Sequence, residues 1–230
     1  MEYLPILNYI VFILTTALSI YLFYRAVNGL LGGLVILLAW LLLQTILSLS
    51  GFYEVYHSHP PRLIFLLLPP VIFIVLLFIT GWGKRFIERL NPGTLTLIHI
   101  VRIPVELVLY GLFLQKQVPQ LMTFAGGNYD IVSGLTAPFI YYFGFVKNRI
   151  SRELMLGWNF ICLGLLFNIV YRAVLSAPTP FQQFAFDQPN IAILHFPYVW
   201  LPACIVPLVL FSHISVIRQQ LKAMPKKKHV

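Results

Sequence analysis

The chain has 230 residues, 59% hydrophobic and 10% charged, with a mean hydropathy of +0.84, whereas an ordinary soluble domain carries about 25% charged residues. That composition excludes a water-soluble globular domain. The formal net charge is +9, but most basic residues fall in the segments between apolar runs, as in a membrane protein, so the expected partner is the bilayer and not nucleic acid.

A membrane crossing needs about 20 apolar residues in a row. Seven segments meet or approach this: residues 4–24, 30–49, 63–82, 95–114, 135–146, 154–175 and 191–217. The amino end, Met-Glu-Tyr-Leu-Pro, lacks the basic stretch and small-residue cleavage site of a signal peptide, so the first segment is expected to remain as a span. The fifth is short, and the aromatic run at residues 139–145 gives it an interfacial character. Arg25, then Lys84, Arg85 and Arg89, then Lys147, Arg149 and Arg152, then Arg218, Lys222 and the lysines at 226–228 fall on one side of this topology, with only Arg62 and Lys116 on the other. The expected fold is therefore an all-α integral membrane protein, a single seven-helix domain over residues 1–230. Its amino terminus lies outside and a basic cytoplasmic tail covers residues 218–230; for a bacterial chain the membrane would be the plasma membrane.

Along the chain, the first loop to carry chemistry is GFYEVYHSHPPR at residues 51–62. His57 and His59 sit two apart in it, and with Asp187 they are the candidate metal ligands; Glu54 and Asp130 are further oxygen donors. No helical H-x-x-x-H or H-E-x-x-H accompanies them, which argues against a zinc hydrolase.

The fourth span holds the main candidate site. His99, Arg102 and Glu106 fall within about 60° of one another on a helical wheel, and Tyr110 lies about 20° beyond His99. Ionisable groups at membrane depth are costly, face a bundle interior or a wet cavity, and point to a functional site. Arg102 and Glu106 are spaced i, i+4 and can neutralise each other. Pro104 removes a helical hydrogen bond and is expected to kink the helix beside them.

The next outer loop, residues 115–134, contains Asn128 and Asp130 after a Gly126-Gly127 pair that allows positive φ and close backbone approach. In the sixth span Asn168 and Arg172 lie one turn apart, with Gly157 and Gly164 on roughly the same side offering close helix approach. Arg172 is expected at the headgroups or, with Arg62, at a cavity mouth. In the seventh span Pro197, Pro202 and Pro207 recur at five-residue intervals, predicting a bent or broken helix. That span also carries His195 and His213. His213 should sit at the depth of His99, where the two could share a haem or a proton path. Cys162 and Cys204 lie in apolar runs and read as buried hydrophobes. A retinal Schiff base is excluded, because no lysine lies within residues 191–217.

These residues support a bundle that binds a small or lipidic ligand in an outward-opening polar cavity, for sensing or transport. His99, Arg102, Glu106, Tyr110, Asn128, Asp130, Asn168, Arg172 and His195 are its candidate ligand- or ion-handling residues. The alternatives are a membrane-embedded acid–base or metal-dependent enzyme acting on a lipidic substrate, and an assembly subunit of a membrane complex. No particular cofactor is selected. A transporter of this length without inverted repeats would be expected to work as a homo-oligomer.

Overall fold

The structure, a computed structural model, describes residues 4–56 and 58–223. His57 and the lysines at 226–228 therefore lie outside the described residues. Those described form helices and connecting turns, with no strand among them. Five helices are long and apolar enough to cross a membrane: α1 (Leu4–Ala26), α2 (Leu31–Leu49), α5 (Pro92–Leu114), α7 (Arg152–Leu175) and α8 (Leu201–Lys222). The remaining three are α3 (Ile64–Ile79), α4 (Gly81–Glu88) and the short apolar α6 (Ile131–Val146).

Large apolar side chains such as Leu14, Val35, Leu42, Ile72 and Ile161 face outward, while polar ones turn in. This is the arrangement expected when the solvent is hydrocarbon. On α1 the inward side chains of Thr15, Thr16 and Ser19 satisfy themselves on carbonyls one turn back, at 2.7, 3.0 and 2.8 Å. This lets α1 pack closely on α5, whose Gly111 abuts Asn8. On α2, Gln44 accepts a 2.5 Å hydrogen bond from Tyr53, and burial pushes the Tyr53 hydroxyl up to about 12. Helices α5 and α8 are the most enclosed, with 56% and 78% of their apolar windows buried against 17% for α2. The centre of the bundle is therefore the α5–α8 pair.

The breaks have local causes. The predicted third span ends early: at Thr80 the chain turns by 89° into α4, because Thr80 Oγ1 caps the new helix by accepting from Gly83 N–H at 3.1 Å. The predicted seventh span is shorter than expected. Residues 191–200 form a 3₁₀ turn and a loop, and α8 begins at Leu201 with a π-turn. Pro197, Pro202 and Pro207 withhold the N–H groups a continuous helix would need there. Span five instead starts earlier, at Ile131. The kink predicted in span four is a 3₁₀ turn, His99–Val101, lying just before Pro104.

Pro207 also leaves the Ala203 carbonyl without its helical donor, and Trp40 Nε1 on α2 donates to it at 2.9 Å. Trp200 Nε1 adds a second tie to α2, donating to Thr45 Oγ1 at 3.0 Å. Trp40→Phe is therefore expected to lower stability by about 1–3 kcal/mol, the cost of orphaning a buried acceptor. Hydrogen exchange confined to α2 and the start of α8 should rise with it; unchanged exchange there would remove this tie from the account.

The basic clusters gather at one end. Asn28 Nδ2 donates to Arg89 O at 3.0 Å, Gln219 Nε2 to Ile87 O at 2.7 Å, and Arg152 to the Ala223 carbonyl, joining the ends of α1, α4 and α8 to the start of α7. At the opposite end the long loops interlock, with Ser48 Oγ donating to Leu194 O at 2.9 Å and Gln188 Nε2 to Val118 O at 2.6 Å.

Candidate functional site

The polar stripe of α5 faces the interior: His99, Arg102 and Glu106 are all buried. Their partners come from the loop before α6, from α7 and from α8. Arg102 Nη1 lies 3.0 Å from Asp130 Oδ1 at the start of α6, close as an ion pair although the N–H bond is not aligned on that oxygen. The same nitrogen points towards the Cys162 carbonyl at 3.4 Å, and Nη2 lies 3.2 Å from His213 Nε2 on α8. His213 Nδ1 in turn lies 2.9 Å from Asn159 Oδ1 on α7, whose Nδ2 donates to Met155 O at 2.8 Å. Since Arg102 can only donate, His213 Nε2 accepts and Nδ1 donates to Asn159, which fixes the tautomer.

Glu106 does not pair with Arg102 as the i, i+4 spacing suggested. Its Oε1 accepts from Asn128 Nδ2, which also donates to Met122 O at 3.0 Å, and Asn128 Oδ1 accepts from Asp130 N–H at 3.1 Å. The 3₁₀ turns Gln120–Met122 and Phe124–Gly126 fold the loop back so that Asn128 and Asp130 both reach α5. Gly126 makes this fold-back sterically feasible, since a Cβ there would lie 2.1 Å from Gln120 O, while Gly127 takes φ +87°. Among the described residues Glu106 Oε2 has no hydrogen-bond partner, and neither ring nitrogen of His99 has one.

His99 and His213 do meet, as their depths suggested, but face to face: their rings stack at 3.7 Å and 16°, with Trp158 edge-on to His99. Stacked imidazoles at this distance leave no room for a haem plane between them. Neither ring nitrogen of His99 is hydrogen-bonded to a carboxylate.

Arg172, near the carboxyl end of α7, is engaged by the loop. Its Nη1 donates to Leu121 O at 3.1 Å and Gly126 O at 2.9 Å, clamping the folded-back loop. Arg62 donates to Phe52 O at 2.9 Å and covers its ring. Tyr110 stacks on Phe124 at 4.9 Å, in the loop layer and not in the buried cluster. Asn168 is half-buried on α7, outside the cluster. Gly157 and Gly164 meet no neighbour where a Cβ would stand, so they provide no close helix approach. His195 lies outside any membrane helix, 3.4 Å from Glu54. His59 and Asp187 are exposed, and no group of three His, Cys, Asp or Glu suited to a metal occurs among the described residues. Cys162 and Cys204 are buried and free.

Next to the cluster is a cavity of about 70 Å³. Arg102, Glu106 and Asp130 form its polar side, and its other walls are apolar, from Val105 and Leu109 of α5, Leu166 and Val170 of α7, and Ile205 and Val209 of α8. Its rim residues Leu63, Leu67 and Val174 also line a surface groove between α3 and the end of α7. Sequence reasoning singled out Asn128 and Asp130 but missed Asn159 and Trp158. A lone amide inside an apolar span was the available signal for Asn159.

No curated protein and no solved structure matches the chain. The family described as a domain of unknown function, DUF8737, matches residues 60–221, from the approach to α3 to the last turn of α8 and so across the whole buried cluster, and the chain belongs to that family.

Proposed function

We propose that the protein crosses the membrane seven times, with its amino terminus outside and its carboxyl end in the cytoplasm. In the cavity between α5, α7 and α8 it binds a small or lipidic ligand, for sensing or transport. Supporting the topology, α1, α2, α5, α7 and α8 are long and apolar enough to cross, α3 and α4 together pass the same test across an 89° bend, α6 is a shorter apolar helix, and positive residues favour the cytoplasmic side. The observation that carries the ligand reading is an apolar cavity closed on one side by Arg102, Glu106 and Asp130. Binding sites characteristically join apolar walls to a few converging polar groups.

Arg102 is already engaged by Asp130 and His213, whereas Glu106 Oε2 is free of partners among the described residues. The polar end of the ligand therefore hydrogen-bonds to the Glu106 carboxyl, and the rest is apolar. Entry is sideways, along the groove between α3 and α7, because the clamped outer loop covers the top. The test is an inventory of molecules retained by the full chain in lipid nanodiscs, read by native mass spectrometry. A molecule bound at one per chain by the native protein should be lost in Val170→Phe, which fills the cavity, with thermal unfolding unchanged. Equal retention in Val170→Phe, or an empty native protein, would overturn the reading.

A further inference from the structure

A second concavity lies at the basic end of the molecule, away from the buried cluster. It is a groove of about 490 Å³ lined by Phe23, Val27 and Leu30, by Ile36 and Trp40 of α2, by Pro70, Phe73 and Leu77 of α3, and by Leu208 and Phe211 of α8. Its walls carry almost no polar surface. Along α2 it extends from Gly32 to Trp40, about 12 Å at 1.5 Å per residue. That is the depth of most of one leaflet in a bilayer whose core is about 30 Å thick. The Trp40 bond to the Ala203 carbonyl closes its deep end.

The mouth is formed by α4. Trp82 and Phe86 of α4 stack on each other at 5.7 Å and line the groove. At about 100° per residue, Arg85 and Arg89 lie within about 60° of Trp82, on the same face. Both arginines are exposed, and neither has an acidic partner among the described residues. The acidic residue of α4, Glu88, is taken on the other side by Lys222 at 2.5 Å and Arg218 at 3.9 Å, and the Lys222 bond holds its carboxyl below the usual range. Within the groove, Gly32 and Gly33 each cost helix stability relative to alanine. A Cβ at Gly32 would meet nothing, and one at Gly33 only Leu30 at 4.0 Å, so no residue of the bundle accounts for them.

We propose that this groove seats an anionic phospholipid of the cytoplasmic leaflet, one acyl chain lying along Gly32, Gly33 and Ile36 and its phosphate at Arg85 and Arg89. An aromatic pair at interface depth, two uncompensated cations above it and an apolar trough one leaflet deep match the parts of such a lipid in order. Zwitterionic lipid would fill the trough equally well but gain less from the arginines.

The experiment uses the full chain in nanodiscs of phosphatidylcholine mixed with phosphatidylglycerol, followed by native mass spectrometry of the lipid retained. The native protein is expected to keep one phosphatidylglycerol in preference to phosphatidylcholine. Each arginine near an anionic surface is worth roughly fivefold in affinity, so Arg85→Gln with Arg89→Gln should lower that preference by roughly 25-fold. Gly33→Leu, which has room for its side chain and improves helix propensity, should abolish retention with both arginines intact and the fold no less stable. Equal retention of the two lipids would overturn the proposal, as would retention indifferent to Gly33→Leu. So would a lipid-free dimer cross-linked through Gly33→Cys, which would make the groove an interface between two copies.

Discussion

Arg102→Met is expected to lower stability by about 3–5 kcal/mol, because it leaves the Asp130 carboxylate buried without its cation. The same change removes the donor that His213 Nε2 accepts, so the chain of bonds from Arg102 through His213 to Asn159 loses its first link. The expected size follows from asymmetry: an intact buried pair contributes little over apolar packing, yet removing one partner exposes the full desolvation cost of the other. The double variant Arg102→Met with Asp130→Asn should therefore recover most of the loss, since the stranded charge goes with it. Equilibrium unfolding of the four proteins in mixed micelles gives the cycle directly. A single Arg102→Met within about 1 kcal/mol of the native protein would show that the pair is not desolvated as its burial implies. Glu106→Gln provides the contrast, because it alters a carboxyl whose neighbour is the neutral amide of Asn128.

The second large effect is expected at Gly126. An added Cβ would lie 2.1 Å from Gln120 O and 2.5 Å from Leu121 Cα, and these are backbone atoms that cannot swing aside. Gly126→Val must therefore unwind one of the two 3₁₀ turns. Those turns supply the carbonyls of Leu121 and Gly126 to Arg172 and that of Met122 to Asn128. A cost of about 3 kcal/mol is expected, at the upper end of ordinary overpacking, together with fast hydrogen exchange over residues 115–130. Gly127→Ala, strained only by its φ of +87°, should cost about 1 kcal/mol. Gly157→Ala, which meets no neighbour inside α7, should stabilise by up to about 1 kcal/mol. If Gly126→Val behaves like Gly157→Ala, the loop is not held in this fold-back.

Some of this was legible along the chain. The helices end where local chemistry says they should: Ser151 Oγ accepts from Leu154 N–H at 3.3 Å to start α7, and Asn91 Oδ1 accepts from Thr94 N–H at 2.9 Å to start α5, with Pro92 following. The stripe of His99, Arg102 and Glu106 was visible as a polar face of an apolar segment, and burial follows because hydrocarbon cannot solvate it. The break in the last span was legible in its three prolines, but the helical start at Leu201 was not, because apolar composition continues through residues 191–200. The pairing of Arg102 with Glu106 was misjudged because helical spacing gives proximity on one surface, while a buried charge takes whichever partner the rest of the fold delivers.

The sequence by itself determined that several helices are long and apolar enough to cross a membrane, that the polar groups of α5 turn inward, and that most basic residues fall between those helices. Each of these depends on the transfer cost of single side chains or on hydrogen bonds between near neighbours. Only the tertiary structure decided that Asp130 and not Glu106 meets Arg102, that His99 lies flat on His213, and that a leaflet-deep groove separates α2 from α3. These depend on a loop folding back and on helices distant in the chain approaching one another. Desolvated charges, stacked rings and grooves are properties of groups brought together through space, which no local pattern of residues encodes.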